Sequence, residues 1–205
     1  MKIIKLLLII LVFNLIACEH ILNTKTFYQD NSVNLEHKNI TFFEKENYYS
    51  CMRFYTSKKY KLANECFYFA YLNAEEQKEA ALSILYELKS AYDYGAYNYV
   101  VSNFNKFEIY KNEFEGLNYD VLLTLAKALK KQIKGIDRNF YPNAKNIFII
   151  LDNLRKKENK LPKPIYDEVL YNLNDILTLM EKHEIYVAEY YGRTDHLQAR
   201  DKRLK

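Results

Sequence analysis

Tryptophan is absent from the 205 residues, and glycine, proline, cysteine and methionine number only 4, 3, 3 and 3. Each scarcity excludes something. Four scattered glycines build no Gly-rich loop to cradle a phosphate, and no serine stands in Gly-x-Ser-x-Gly, so nucleotide enzymes and hydrolases lack their parts. Three cysteines are too few for a disulfide scaffold. There is no Cys-x-x-Cys and no His-Glu-x-x-His, and His20, His37, His183 and His196 are scattered without metal-ligand spacing, so neither a metal nor another cofactor is expected. Charge of one sign is also scarce: the formal net charge is only +4. Without a strong global field, nucleic acid is a poor partner for this chain. The one long apolar run, about 12 residues ending before Cys18, falls short of the about 20 that a spanning helix needs.

That run has another use. Lys2 and Lys5 supply a basic start, Leu6 to Phe13 an apolar centre, and Leu15-Ile16-Ala17-Cys18 a small residue just before a cysteine. This is the layout of a cleaved secretory signal. It resembles a bacterial lipobox, which implies that residues 1–17 are removed and that Cys18 becomes the lipidated amino terminus. Two or more acyl chains give stable membrane anchoring where one is marginal. Processing leaves about 188 residues and a charge near +2, enough for one domain or a short repeat array. Cys51 and Cys66 then remain. They read as two buried thiols, with a bridge open to them in an oxidising compartment.

Lys, Asn, Ile and Tyr are abundant, the bias of an AT-rich genome, so the 20 tyrosines carry no argument by number alone. Residues 18–43 mix polar residues and scattered aromatics without a period and read as a tether. From Glu44 the apolar residues recur at three and four, and no segment alternates with period two. The body, 44–193, therefore reads as all-α, with helices near 44–57, 60–73, 77–93, 96–110, 118–134, 142–157 and 164–191. Gly95, Gly116, Gly135 and Gly192 fall where a helical pattern stops, and Pro142 and Pro164 where one starts, so no glycine is expected inside a helix.

One spacing recurs three times. Tyr60, Ala63, Phe67 and Ala70 share the offsets 0, 3, 7 and 10 with Tyr97, Val100, Phe104 and Phe107, and with Tyr141, Ala144, Phe148 and Leu151. Each set lies on one helical stripe suited to packing on the preceding helix. The pattern resembles the second helix of a tetratricopeptide repeat. The resemblance implies a helical-hairpin solenoid of about three repeats plus a long C-terminal helix, with Cys51 where the family places a small residue. Leu88 departs from that rule, and the family's tryptophan is missing.

Two strings narrow the resemblance. Gly135-Ile136-Asp137-Arg138 follows the third first-helix, and Val187-Ala188-Glu189-Tyr190-Tyr191 closes the last long helix. With the lipobox, their order and spacing resemble the BamD (YfiO/ComL) family of outer-membrane protein assembly lipoproteins. The resemblance implies a non-enzymatic scaffold anchored at the periplasmic face of the outer membrane. Its implied partners are a BamA-like subunit, unfolded β-barrel precursors and other assembly lipoproteins. Longer family members continue past the Tyr-Tyr helix, whereas here Gly192-Arg193 is followed only by residues to Lys205, so the C-terminal partner contacts are not carried over. Another tetratricopeptide lipoprotein, such as a pilus-assembly pilotin, and a surface-exposed lipid-anchored adhesin stay open as alternatives.

A hairpin solenoid leaves a face lined by first helices, which suits an extended or helical peptide. Counting along the repeats puts Tyr48, Met52, Tyr55, Leu85, Lys89 and Tyr92 on that face as the candidate peptide-binding positions. Glu181, Glu184 and Glu189 read as the solvated side of an amphipathic helix. The segment 194–205, with Arg200, Lys202, Arg203 and Lys205 against Asp195 and Asp201, reads as a basic tail that is solvated or meets an acidic partner or anionic head groups.

Overall fold

The computed structural model describes residues 46–135, 140–194 and 196–203. The lipobox, the segment 18–43 and residues 136–138 of the Gly-Ile-Asp-Arg string lie outside the described residues. Those described are all-helical. Eight α-helices follow in order: α1 Tyr48–Thr56, α2 Tyr60–Asn73, α3 Gln77–Asp93, α4 Tyr97–Asn103, α5 Glu115–Gln132, α6 Phe140–Arg155, α7 Lys163–Arg193 and α8 Leu197–Arg203.

Local chemistry sets several of the boundaries. Asn47 starts α1 through a capping box, its side chain accepting from the Ser50 N–H while the Ser50 hydroxyl accepts from the Asn47 N–H. Gly95, at φ 91°, turns the chain from α3 into α4, a left-handed conformation that a Cβ disfavours. Pro164 lies in the first turn of α7 and Pro142 in that of α6, where a missing N–H costs nothing. Two glycines depart from expectation. Gly116 and Gly192 lie just inside the ends of α5 and α7, in terminal turns that tolerate them. The fourth helix is also shorter than its apolar pattern, stopping at Asn103 and passing into a 3₁₀ turn over Phe104–Phe107. The Asn103 amide donates to the Tyr99 carbonyl at 2.9 Å, the local competition with helix continuation that asparagine brings.

Each helix packs on the next, and the odd helices also touch one another in sequence: α1 on α3, α3 on α5, α5 on α7. The core is accordingly divided into three. Cys51, Ala63, Cys66, Phe67 and Ala70 close the first part. Ile84, Leu85, Leu88, Val100, Phe107 and Val121 form the second, and Phe140, Ala144, Ile147, Leu151, Val169 and Ile176 belong to the third. The recurring stripe is buried in α2 at Ala63, Phe67 and Ala70, and in the fourth helix and its 3₁₀ turn at Val100 and Phe107. In α6 it holds at Ala144 and Leu151 and shifts at the other two positions. Phe140 and Ile147 take the core positions expected of Tyr141 and Phe148, leaving Tyr141 exposed.

The two cysteines of the body are bonded. Cys51 of α1 and Cys66 of α2 form a disulfide with Cα atoms 5.5 Å apart, which corrects the reading of two free thiols. The antiparallel crossing of the two helices brings their facing positions together, a distance that composition cannot report.

Candidate functional site

The odd helices present one shared face, and its character follows from what α3 leaves uncovered. Packed by α2, α4 and α5, α3 buries most of its circumference and keeps Leu82, Tyr86, Lys89, Tyr92 and Asp93 among its less buried positions. Leu85 is therefore not a groove residue. It lies in the second core part with Ile84 and Leu88, and the neighbouring Tyr86 takes the surface position one step, about 100°, around the helix.

The other candidates are half-buried. Tyr48, Tyr55 and Phe67 surround Tyr86, with ring centroids 5.6, 5.2 and 5.6 Å from it. Tyr48 and Tyr55 meet Tyr86 edge-on and Phe67 is tilted to it, and aromatic pairs at such separations stabilise by about 0.5–1.5 kcal/mol each beyond their burial. The Tyr55 hydroxyl donates to Asp93 Oδ2 at 2.9 Å, so it ties α1 to α3. Met52 packs against the first core part. Lys89 reaches Asp120 of α5 at 3.2 Å with its ammonium 5.5 Å from the Tyr86 centroid, and Lys127 of α5 sits 4.7 Å over the Tyr92 ring. The structure thus joins Tyr48 and Tyr55 through Tyr86, a residue the stripe count missed, and sets Lys89 and Tyr92 farther along the same face.

A ladder of polar contacts runs across this face. The Tyr48 N–H donates to Glu79 Oε1 at 3.1 Å, linking the starts of α1 and α3. Lys127 meets Glu168 at 2.6 Å, and Lys130 meets Asp175 at 2.7 Å and the Asn172 side-chain oxygen at 2.8 Å, linking α5 to α7. Every successive pair of odd helices is joined in this way. Because Lys89, Lys127 and Lys130 are each committed to a carboxylate, what they leave on this surface is ring faces and the Met52 thioether.

A second polar cluster lies inside the molecule. Glu87 of α3 is 0% exposed, yet it accepts from the Lys106 ammonium at 2.7 Å and from the Tyr99 hydroxyl, both on Oε1. Asn64 of α2 donates to the Glu87 carbonyl at 2.9 Å. Glu87 Oε2 and the hydroxyls of Ser83 and Ser90 have no hydrogen-bond partner among the described residues. With Glu87 itself closed from solvent and Lys106 reaching it from the surface, the cluster locks α2, α3 and the segment 97–107 together.

Burial and neighbouring charge perturb the phenols. Tyr48 is pushed up to about 12, chiefly by burial and then by Tyr86, and Tyr99 is raised further, by burial first and by the Glu87 carboxylate second. An unfolded tyrosine titrates near 10. Both phenols therefore stabilise the fold fully below about pH 10, and that contribution is lost as pH rises from 10 through the folded values. Alkaline titration followed at 295 nm, with circular dichroism alongside, should show a last set of tyrosines ionising only as helicity collapses near pH 12. Complete ionisation near pH 10 with helicity intact would contradict this placement.

Among the described residues no three His, Cys, Asp or Glu side chains are grouped to hold a metal, and no helix is long and apolar enough to cross a membrane. A depression of about 410 Å³ lies between the start of α5 and the end of α6, lined by Lys111, Glu115, Asn118, Asn153 and Lys157 among others. No protein-family model, no curated protein and no solved structure matches the chain. The class that the geometry defines is an all-α protein in which each helix packs on the next and successive odd helices also touch.

Proposed function

We propose that this protein is a non-catalytic, lipid-anchored scaffold of tetratricopeptide-like hairpins that serves outer-membrane β-barrel assembly, binding a BamA-like subunit and segments of β-barrel precursors at the periplasmic face. The observation that carries the reading is the continuity of the odd-helix face, cross-linked from α1 to α7 by the Tyr55, Lys89, Lys127 and Lys130 contacts. A stack of hairpins held in this way offers an extended partner one long aromatic and thioether surface. The Cys51–Cys66 bridge supports an oxidising compartment, in agreement with the secretory start of the sequence. Lipidation at Cys18 would hold the body at the membrane where barrels are inserted.

Two measurements test the reading. A photo-crosslinker at Met52 or Tyr92 is expected to capture C-terminal peptides of unfolded outer-membrane proteins, and Tyr92→Ala to reduce that capture several-fold with helicity retained. Equal capture by wild type and variant would remove the groove. Cys18→Ala should leave the body folded but release it from the membrane fraction. In purification from membranes, a barrel-bearing subunit must come with the protein; a secretin ring in its place would identify a pilotin.

A further inference from the structure

The last helix pair is unevenly matched. α7 has 31 residues and its antiparallel neighbour α8 only 7. α8 lies along the C-terminal end of α7: the His196 N–H donates to the Tyr191 carbonyl at 2.9 Å, Arg200 lies against Gly192, and Arg203 Nη1 reaches the Glu184 oxygens at 3.2 and 2.9 Å. Between these contacts Ala188 is closed from solvent. The stripe holding Ala188 and Glu184 continues toward the start of α7 at steps of three and four, through Glu181, Leu177, Asn174, Leu170 and Asp167, and all five are exposed. Leu170 and Leu177 keep 38% and 45% of their surface. The open stretch is about 21 Å long, four turns of helix.

Its charge states what would cover it. Glu184 is taken by Arg203, Glu168 by Lys127 and Asp175 by Lys130. Asp167 and Glu181, at the two ends of the leucine pair, form no ion pair among the described residues. We propose that this stripe docks a basic amphipathic helix of a partner protein, antiparallel to α7 and end to end with α8. α8 already demonstrates the chemistry, setting an arginine on a carboxylate of the same stripe while its backbone runs antiparallel. The three-and-four spacing accepts the ridges of a helix, with two leucine contacts and a cation at each end. With its leucines stacked on their own mates, a second copy of this chain does not fit. Pairing the stripe with itself antiparallel about Asn174 sets Asp167 against Glu181 of the other copy at both ends, and parallel pairing sets each acid against itself. At this size the contact is a transient one. It includes neither Met52 nor Tyr92, and the inference stands whether or not the odd-helix face binds precursors.

The test uses the full chain and a labelled 14-residue peptide with leucines at three-and-four spacing and lysines elsewhere, read by fluorescence anisotropy. A shuffled peptide of the same composition, without an apolar face, should bind at least tenfold more weakly. Leu170→Gln with Leu177→Gln, and separately Glu181→Gln, should each weaken the first peptide several-fold. Glu181→Lys, an exposed change that leaves the core intact, should repel it and favour the matching leucine–glutamate peptide. Equal binding of the shuffled peptide, indifference to Glu181→Lys, or a dimer in sedimentation that Leu177→Gln dissolves would each overturn the proposal.

Discussion

Replacing Cys51 and Cys66 together by alanine is expected to lower the unfolding free energy by about 3 kcal/mol, the chain-entropy value for a loop of about 15 residues. The sequence separation is 15, and both cysteines are completely buried, so the bridge sits in the packing it constrains. For a body of this size the loss corresponds to a melting temperature lower by about 6–12 °C. The effect should begin at α1. That helix, nine residues long, is too short to hold its shape alone and is otherwise tied in by the Tyr48, Tyr55 and Glu79 contacts. Hydrogen exchange of α1 amides should accelerate before that of α3. Thermal melting with and without reductant, with alkylation confirming reduction, checks the expectation, and coincident melts would show that the crosslink contributes nothing to stability.

Lys106→Met should cost about 3 kcal/mol, for a different reason. Glu87 is wholly excluded from water, and one of its oxygens has no partner. Removing its cation leaves a carboxylate with only the Tyr99 hydroxyl, and breaking a buried pair by one partner costs about 3–5 kcal/mol. The lower end applies because the Lys106 side chain is 24% exposed and its ion pair is partly screened. Adding Glu87→Gln to Lys106→Met should recover a large part, since a neutral amide carries no buried charge, and the shortfall from additivity measures the coupling. Tyr99→Phe alone should cost about 1–3 kcal/mol by withdrawing a donor from a buried acceptor. Denaturant unfolding of these three variants and of Glu87→Gln alone gives the comparison. A Lys106→Met protein as stable as wild type would show that the Lys106–Glu87 contact contributes nothing to stability.

Much of the architecture was legible where one stripe alone decided it. In α2 the residues Ala63, Phe67 and Ala70, read from spacing, are all fully buried, because that helix has one neighbour before it and one after. Reading failed where more than one neighbour competes for a helix. α3 is covered by α2, α4 and α5, so the count that put Leu85 outward was one residue out, and Tyr86 holds that place. In α6 the same kind of slip exchanged Tyr141 and Phe148 for Phe140 and Ile147. α8 had no apolar period long enough to announce it. Leu197 and Ala199 within a basic segment read as a solvated tail, and only contact with Glu184 and Tyr191 distinguishes it as a docked helix. Glu184, read as one of three solvated carboxylates, became its anchor.

By itself the sequence determined the class of the body: three-and-four periodicity without alternation admits only helices, and Gly95, Pro142 and Pro164 mark three of their ends within a turn. Those signals are local, so adjacent residues suffice to carry them. The tertiary structure alone decided that Cys51 faces Cys66, that Glu87 is sealed against Lys106 and Tyr99, that lysines of successive odd helices are spent on carboxylates, and that the Leu170–Leu177 stripe is left open. Each of these depends on which faces of separate helices meet, a distance between residues remote in the chain that no spacing along it can encode.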